Sequence, residues 1–220
     1  METCQSATYG SCWCHWFRIG KTYFCKILIG KICLYAPSSE IYLLDFKGED
    51  SLNFLEGSDF FFRYMECFDG LDRFYQRFLD RQSGKDKTRT PIFLYFDELA
   101  AAVNASEKKE AELLKKKIAN LLMLGRSFNV FCILSLQRPD AAYISARFNI
   151  QLVVALHNLD ASGKEMFFNE VKDEMQNDRK RGTGYMLEGG ANLYKVVVQS
   201  VNDMDKLHQT ILDKLSSQKL

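Results

Sequence analysis

Pro91-Ile92-Phe93-Leu94-Tyr95-Phe96-Asp97-Glu98 is a run of buried-type residues that stops at two adjacent carboxylates. An unbroken apolar stretch of this length reads as a central strand covered on both faces. Such a strand has little reason to deliver Asp-Glu to its carboxyl end unless something there uses the charge. A magnesium-bound nucleotide is the usual use. Asp97 is suited to hold Mg²⁺ directly or through water, and Glu98 to act as general base on a water attacking a γ-phosphate. The plainer reading is a strand end whose acids N-cap the next helix. The remainder of the chain weighs against it.

At 220 residues and 47% hydrophobic content, the chain is expected to form one α/β domain with a substantial core. A formal net charge of +1 gives no bulk basic field, so any contact with nucleic acid must come from local patches or from the channel of an oligomer. The seven cysteines crowd towards the start, an odd number with no secretion signal, which favours reduced thiols in the cytoplasm. Cys12-Trp13-Cys14-His15 invites a zinc reading, but no second ligand pair follows at finger-like spacing. The longest apolar run, Tyr23 to Tyr35, is interrupted by Lys26 and Lys31 and is too short and too charged to span a membrane.

Along the chain the hydrophobic period alternates between strand-like and helix-like, the α/β signature. Tyr23 to Leu34 reads as a helix and Ile41 to Phe46 as a strand ending in Lys47-Gly48. Phe61 to Leu79 is expected to be mostly helical, with Phe62, Met65, Tyr75 and Phe78 in the core. Ser106 is expected to start a long helix whose Leu114, Ile118, Leu121 and Leu122 share a face. Its lysines read most simply as a solvated face, with contact to phosphates by a basic helix rim as the alternative. Val130 to Leu136 is a second buried strand, delivering Gln137 to its carboxyl end, where open α/β sheets bind ligands. Gln137 is therefore a candidate sensor of the γ-phosphate or the attacking water. Gln151 to Leu156 reads as a strand, Ala161 to Asn169 as a short helix, Gly182 to Gln199 as a hairpin closed by Glu188-Gly189-Gly190, and Asp203 to Leu215 as a terminal helix.

Four segments in this order resemble the FtsK/SpoIIIE family of DNA translocases, in particular FtsK-like proteins of conjugative elements. They are Ile41 to Gly48, Pro91 to Glu98, Leu124-Gly125-Arg126-Ser127-Phe128 leading to Gln137-Arg138-Pro139-Asp140, and Arg181 to Leu187. The resemblance runs from about residue 20 to residue 200. It implies a RecA-like P-loop NTPase fold of three layers with a mostly parallel central sheet. It also implies ATP and Mg²⁺ as cofactors, and a homo-hexameric ring that pulls double-stranded DNA through its pore. Service in conjugative DNA transfer, beside membrane-associated machinery on the inner face of the membrane, is implied with it. In such a fold the strand ending at Gln137 lies between the nucleotide-loop strand and the Asp97 strand. Arg147 and Arg126 are candidates for reaching a neighbour's γ-phosphate.

One departure falls where phosphate binding is decided. A P-loop needs G-x-x-x-x-G-K-[ST], because its glycines let successive N–H groups wrap the phosphates. Only Gly20-Lys21-Thr22 fits that pattern, Gly20 and Lys21 for the phosphates and Thr22 for Mg²⁺. His15 stands at the first glycine position, and Trp16 to Ile19 fill a loop that should be small. Non-glycine residues forced into glycine-type angles cost about 1–3 kcal/mol each. Thr3 to Tyr9, expected as the preceding strand, lacks an aliphatic run. Residues 1–19 thus read as an atypical, altered or frame-shifted amino-terminal segment, and residues 20–220 as the ATPase domain. Two functions stay open: an ATP-driven DNA translocase motor, or a non-hydrolysing remnant or assembly module of the same fold.

Overall fold

A computed structural model describes the backbone of residues 12–16 and, in full, residues 20–137, 140 and 142–218. In chain order the elements are β1 (Cys12–Trp16), α1 (Lys21–Tyr35), β2 (Glu40–Asp45), β3 (Phe61–Arg63), α2 (Glu66–Gln82), β4 (Ile92–Asp97), α3 (Leu99–Ala105), α4 (Lys108–Leu124), β5 (Val130–Leu136), β6 (Leu152–Leu156), α5 (Ala161–Phe167), β7 (Thr183–Glu188), β8 (Asn192–Val197) and α6 (Met204–Ser217). The strands form one sheet in the order β3-β2-β4-β5-β1-β6-β7-β8. The pairs from β3 to β6 are parallel, and β7 and β8 add an antiparallel hairpin at one edge. This is the mostly parallel α/β sheet expected, with β5 lying between β4 and β1 as the resemblance implied.

Continuous hydrophobicity does the sorting. Every residue of β4 and β5 is buried, as a strand covered on both faces requires. The crossover through α1 runs from the sheet centre out to β2, whereas those through α2 and α4 run back towards the centre. Right-handed crossovers therefore put α1 on one face and α2 with α4 on the other. On the latter face Asn120 donates to the Tyr75 hydroxyl at 2.9 Å, and Phe78 meets Phe128 edge-on. On the former, α6 lies so close to α1 that a Cβ on Gly30 would come 2.1 Å from the Leu207 side chain.

Three expectations need correction. The strand ahead of α1 is Cys12–Trp16, since its end must lie within a short loop of Lys21; Thr3 to Tyr9 lie outside the described residues. Phe61–Arg63 is a short strand rather than helix, and Met65 is 57% exposed. The chain reverses at Tyr64, whose φ of 49° is left-handed, so the buried stripe of α2 begins only at Cys67 and continues through Gly70, Leu71, Phe74 and Phe78. The helix expected from Ser106 starts at Lys108, because Ser106 closes α3 by donating to the Ala102 carbonyl at 2.8 Å. Leu114, Ile118, Leu121 and Leu122 do line its buried face.

Candidate nucleotide site

Parallel pairing places polar residues side by side where the strands end. Asp45 of β2 is in register with Asp97 of β4, and Asp97 with Ser135 of β5. The Ser135 hydroxyl donates to Asp97 Oδ1 at 2.6 Å, while Asp97 Oδ2 has no hydrogen-bond partner although it is buried. Because β1 lies beside β5, the start of α1 arrives at the same edge. Gly20 turns the chain with φ 96°, a conformation that suits glycine, and Lys21 is the first helical residue. Its ammonium sits 2.8 Å from Asp97 Oδ1 and 3.1 Å from Glu98 Oε2. Burial disfavours that charge, but Asp97 and then Glu98 outweigh it and hold the Lys21 pKa above the ordinary lysine value.

Glu98 itself adopts φ 57°, ψ 52°, unusual for a residue with a side chain. Its amide donates to the Ser135 carbonyl at 3.0 Å, which lets the chain leave β4 sharply. Its carboxylate accepts from the Gln137 amide at 3.3 Å and pairs with Lys47 at 3.4 Å. Asp45 accepts from the amides of Gly48 and Glu49 and faces Arg63 at 3.3 Å. Burial, then the charge of Asp97, raises its pKa, with the two amides and Arg63 opposing.

Above this floor opens a cavity of about 560 Å³, lined by Gly20, Thr22, Gln137, Leu156, Arg181 and Val198 among others. That volume lies in the range of about 300–1,000 Å³ typical of small-molecule sites. The free N–H groups of α1 and its dipole favour an anion at this end. A divalent ion fits the donor set present. Asp97 offers an unpartnered carboxylate oxygen, and Thr22, which also lines the cavity, carries a hydroxyl. Among the described residues no group of three or more His, Cys, Asp or Glu is arranged to hold a metal, so the ion would complete its shell with water and phosphate, as Mg²⁺ does.

The structure therefore brings Gly20, Lys21, Thr22, Asp97, Glu98 and the backbone of Gln137 together. It does not bring Arg147 or Arg126 there. Arg147 lies shortly before β6, near the sheet edge where the strands begin, with its guanidinium 4.3 Å over the Phe148 ring; Arg126 follows α4 towards that same edge. The side chains of Cys12, Cys14 and His15, and residues 17–19, 138 and 139, lie outside the described residues. Sequence reasoning passed over Ser135 and assigned no role to Asp45, Lys47 or Arg181, although the last opens one of the four segments of the resemblance. A serine interrupting an apolar strand was the available signal for the first.

No family model matches the chain. It is 33% identical over 97 residues to the FtsK domain-containing protein YdcQ of Bacillus subtilis (strain 168), a match covering 43% of this chain and 20% of that protein. It is also similar to the pCW3 conjugation coupling protein TcpA, solved as a monomer with ATPγS, with TM-score 0.72 and 16% identity over 94% of this chain and 64% of that one. The cytoplasmic domain of the type VII secretion ATPase EccC from Thermomonospora curvata gives TM-score 0.68 and 17% identity over 96% of this chain and 28% of that one. The genome packaging NTPase B204 of Sulfolobus turreted icosahedral virus 2 gives TM-score 0.56 and 13% identity over 89% of this chain and all of that one. The chain thus spans about a fifth of the curated relative and less than two thirds of the TcpA chain. Among the described residues no helix is long and apolar enough to cross a membrane. The resemblance read from four short segments is borne out: the chain is similar to an FtsK domain-containing protein over 97 residues, and it has the P-loop ATPase fold that its strand order describes.

Proposed function

We propose that this domain binds and hydrolyses Mg-ATP, and works as the motor of a ring that moves double-stranded DNA during conjugative transfer. The observation that carries the reading is that Lys21, which lines the cavity, has its ammonium lodged between Asp97 and Glu98. A cation and two carboxylates at a helix N-terminus are the parts needed to exchange an internal ion pair for phosphate and a divalent ion. Lys21 turns from the carboxylates to the phosphates, and Thr22 and Asp97 would hold Mg²⁺. The ion supplies charge neutralisation at the phosphates. Glu98 takes the proton of the attacking water on its carboxylate, and Gln137, from the adjacent strand, orients that water. Arg147 and Arg126, far from the site of their own chain, suit a role at a neighbour's phosphate across a hexamer interface. The likeness to a conjugation coupling protein supports DNA as the cargo and membrane-associated conjugation machinery as the partner. The domain is read as residues 20–220, with 1–19 an atypical segment that nevertheless supplies β1.

Equilibrium binding of a fluorescent ATP analogue with Mg²⁺, and turnover with and without duplex DNA, test this together. Glu98→Gln should keep binding and abolish turnover, since it preserves shape and removes the base. DNA stimulation should fall steeply with salt. No binding at all would leave the assembly-module reading, which the non-glycine residues His15 to Ile19 favour.

A further inference from the structure

Glu98 has two cations on one oxygen. Lys21 and Lys47 both approach Oε2, at 3.1 and 3.4 Å, while Oε1 accepts from the Gln137 amide. Lys21 has an evident second destination, the phosphates. Lys47 does not belong to α1; it comes from the loop after β2, and its place there is built. Asp45 accepts from the amides on the far side of Lys47, those of Gly48 at 2.9 Å and Glu49 at 2.8 Å. Gly48 has φ 73° and lies under Tyr64, so close that a Cβ would come within 2.2 Å of the Tyr64 hydroxyl. The backbone on either side of Lys47 is thus fixed, and its side chain, 34% exposed, extends onto a carboxylate that is only 5% exposed. An ordinary exposed pair contributes little to stability. Here one partner is buried and held in a left-handed backbone, so the cation also decides where the carboxylate points.

We infer that Lys47 is a positioning residue that restrains the Glu98 carboxylate, keeping Oε2 turned to the β2 loop and away from the attacking water. The inference rests on Glu98 being the base of the proposed reaction. An ammonium on that oxygen competes with water for the same lone pairs. When Lys21 moves to phosphate, Lys47 is the cation that stays, so the base becomes free only when the β2 loop yields. The loop would thereby set how fast bound ATP is consumed.

The first test needs no nucleotide. Melting temperatures of the nucleotide-free wild type, Lys47→Met, Glu98→Gln and the double variant form a cycle. Lys47→Met should lower the melting temperature by about 2–4 °C, the shift of a contact worth about 1 kcal/mol in a domain of this size. It should do so by less than half as much when Glu98 is already Gln. Equal shifts in the two backgrounds overturn the inference, whether or not the chain hydrolyses ATP. Absence of turnover in every variant, with the cycle intact, counts against the motor reading and leaves the restraint supported. Where turnover is measured, Lys47→Met should raise kcat several-fold with KM unchanged, and Lys47→Arg should restore the wild-type rate. A lower kcat in Lys47→Met would mean that the lysine aligns the base, and would overturn the restraint.

Discussion

Replacing Lys21 by Met keeps the aliphatic stem and removes the charge from between two carboxylates. The Lys21 side chain is 8% exposed and that of Asp97 is wholly buried. After the change Asp97 keeps the Ser135 hydroxyl, and Glu98 keeps Lys47 and the Gln137 amide. Stripping one partner from a buried ion pair costs about 3–5 kcal/mol. With Lys47 still at Glu98, the loss should fall at the lower end, about 3 kcal/mol. For a domain of about 150–250 residues that corresponds to about 6–12 °C in Tm. Lys31→Met, at an exposed position of the same helix, should stay within about 0.5 kcal/mol. The pH dependence has a definite sign. Lys21 has a folded pKa above its unfolded value, so its stabilisation is complete below the unfolded value of about 10.4 and fades only as pH rises through the folded one. Chemical denaturation of both variants and the wild type at pH 7, 9 and above 11 measures this. Equal losses in the two variants would refute the reasoning, as would a gap between wild type and Lys21→Met that closes before pH 9.

Three further outcomes are expected. Gly184→Ala should cost about 3 kcal/mol or more and disturb the β6–β7 edge, because the new Cβ would stand 2.0 Å from the Ala155 carbonyl oxygen; a denaturation midpoint unchanged from wild type would count against that approach. Burial, then the Lys26 ammonium 3.4 Å away, lowers the His208 pKa against a smaller opposing pull from Asp205, so its share of stability is full above about pH 6.5 and is lost as pH falls through the lowered value. His208→Phe, which keeps the stack on Phe54, should lose less stability than wild type between pH 7.5 and 5.5, and parallel curves would reject the assignment. Asp86 is brought down to about 2; burial opposes this, but Thr88 through its amide and hydroxyl, and Arg81, outweigh it. Its contribution should persist above its unfolded value of about 3.9 and vanish as pH falls through the folded one, so Asp86→Asn should flatten acid unfolding between pH 4 and 2.

What could be read from residues alone was whatever local pattern encodes. Val130 to Leu136 is an unbroken apolar strand in both sequence and structure, and Asp97 and Glu98 announced a charged strand end because the preceding residues exclude a surface reading. The order of β4, β5 and β1 followed from the resemblance, not from periodicity. What stayed hidden depends on neighbours. Ser135 reads as a minor polar break until the register puts it across from Asp97. Arg181 and Lys21 are far apart in the chain, yet they line one cavity because the hairpin of β7 and β8 folds back beyond β6. β1, Cys-Trp-Cys-His-Trp, lacks the aliphatic signature of a central strand, so no local pattern marks it as one.

The placement of β1 also has a kinetic meaning. Cys12 pairs with Ile133 on one side and with Leu152 on the other. During synthesis β1, made long before its partners, finds neither until β5 emerges, and its second edge stays open until β6 follows. Such non-local parallel pairing is slow, and chains waiting on it expose apolar strand edges to one another. Until β1 docks on β5, β6 has no parallel strand to join, because its only parallel neighbour is β1. Docking of β1 on β5 carries the start of α1 to the edge where Asp97 lies, so the Lys21–Asp97 pair depends on a contact between distant parts of the chain.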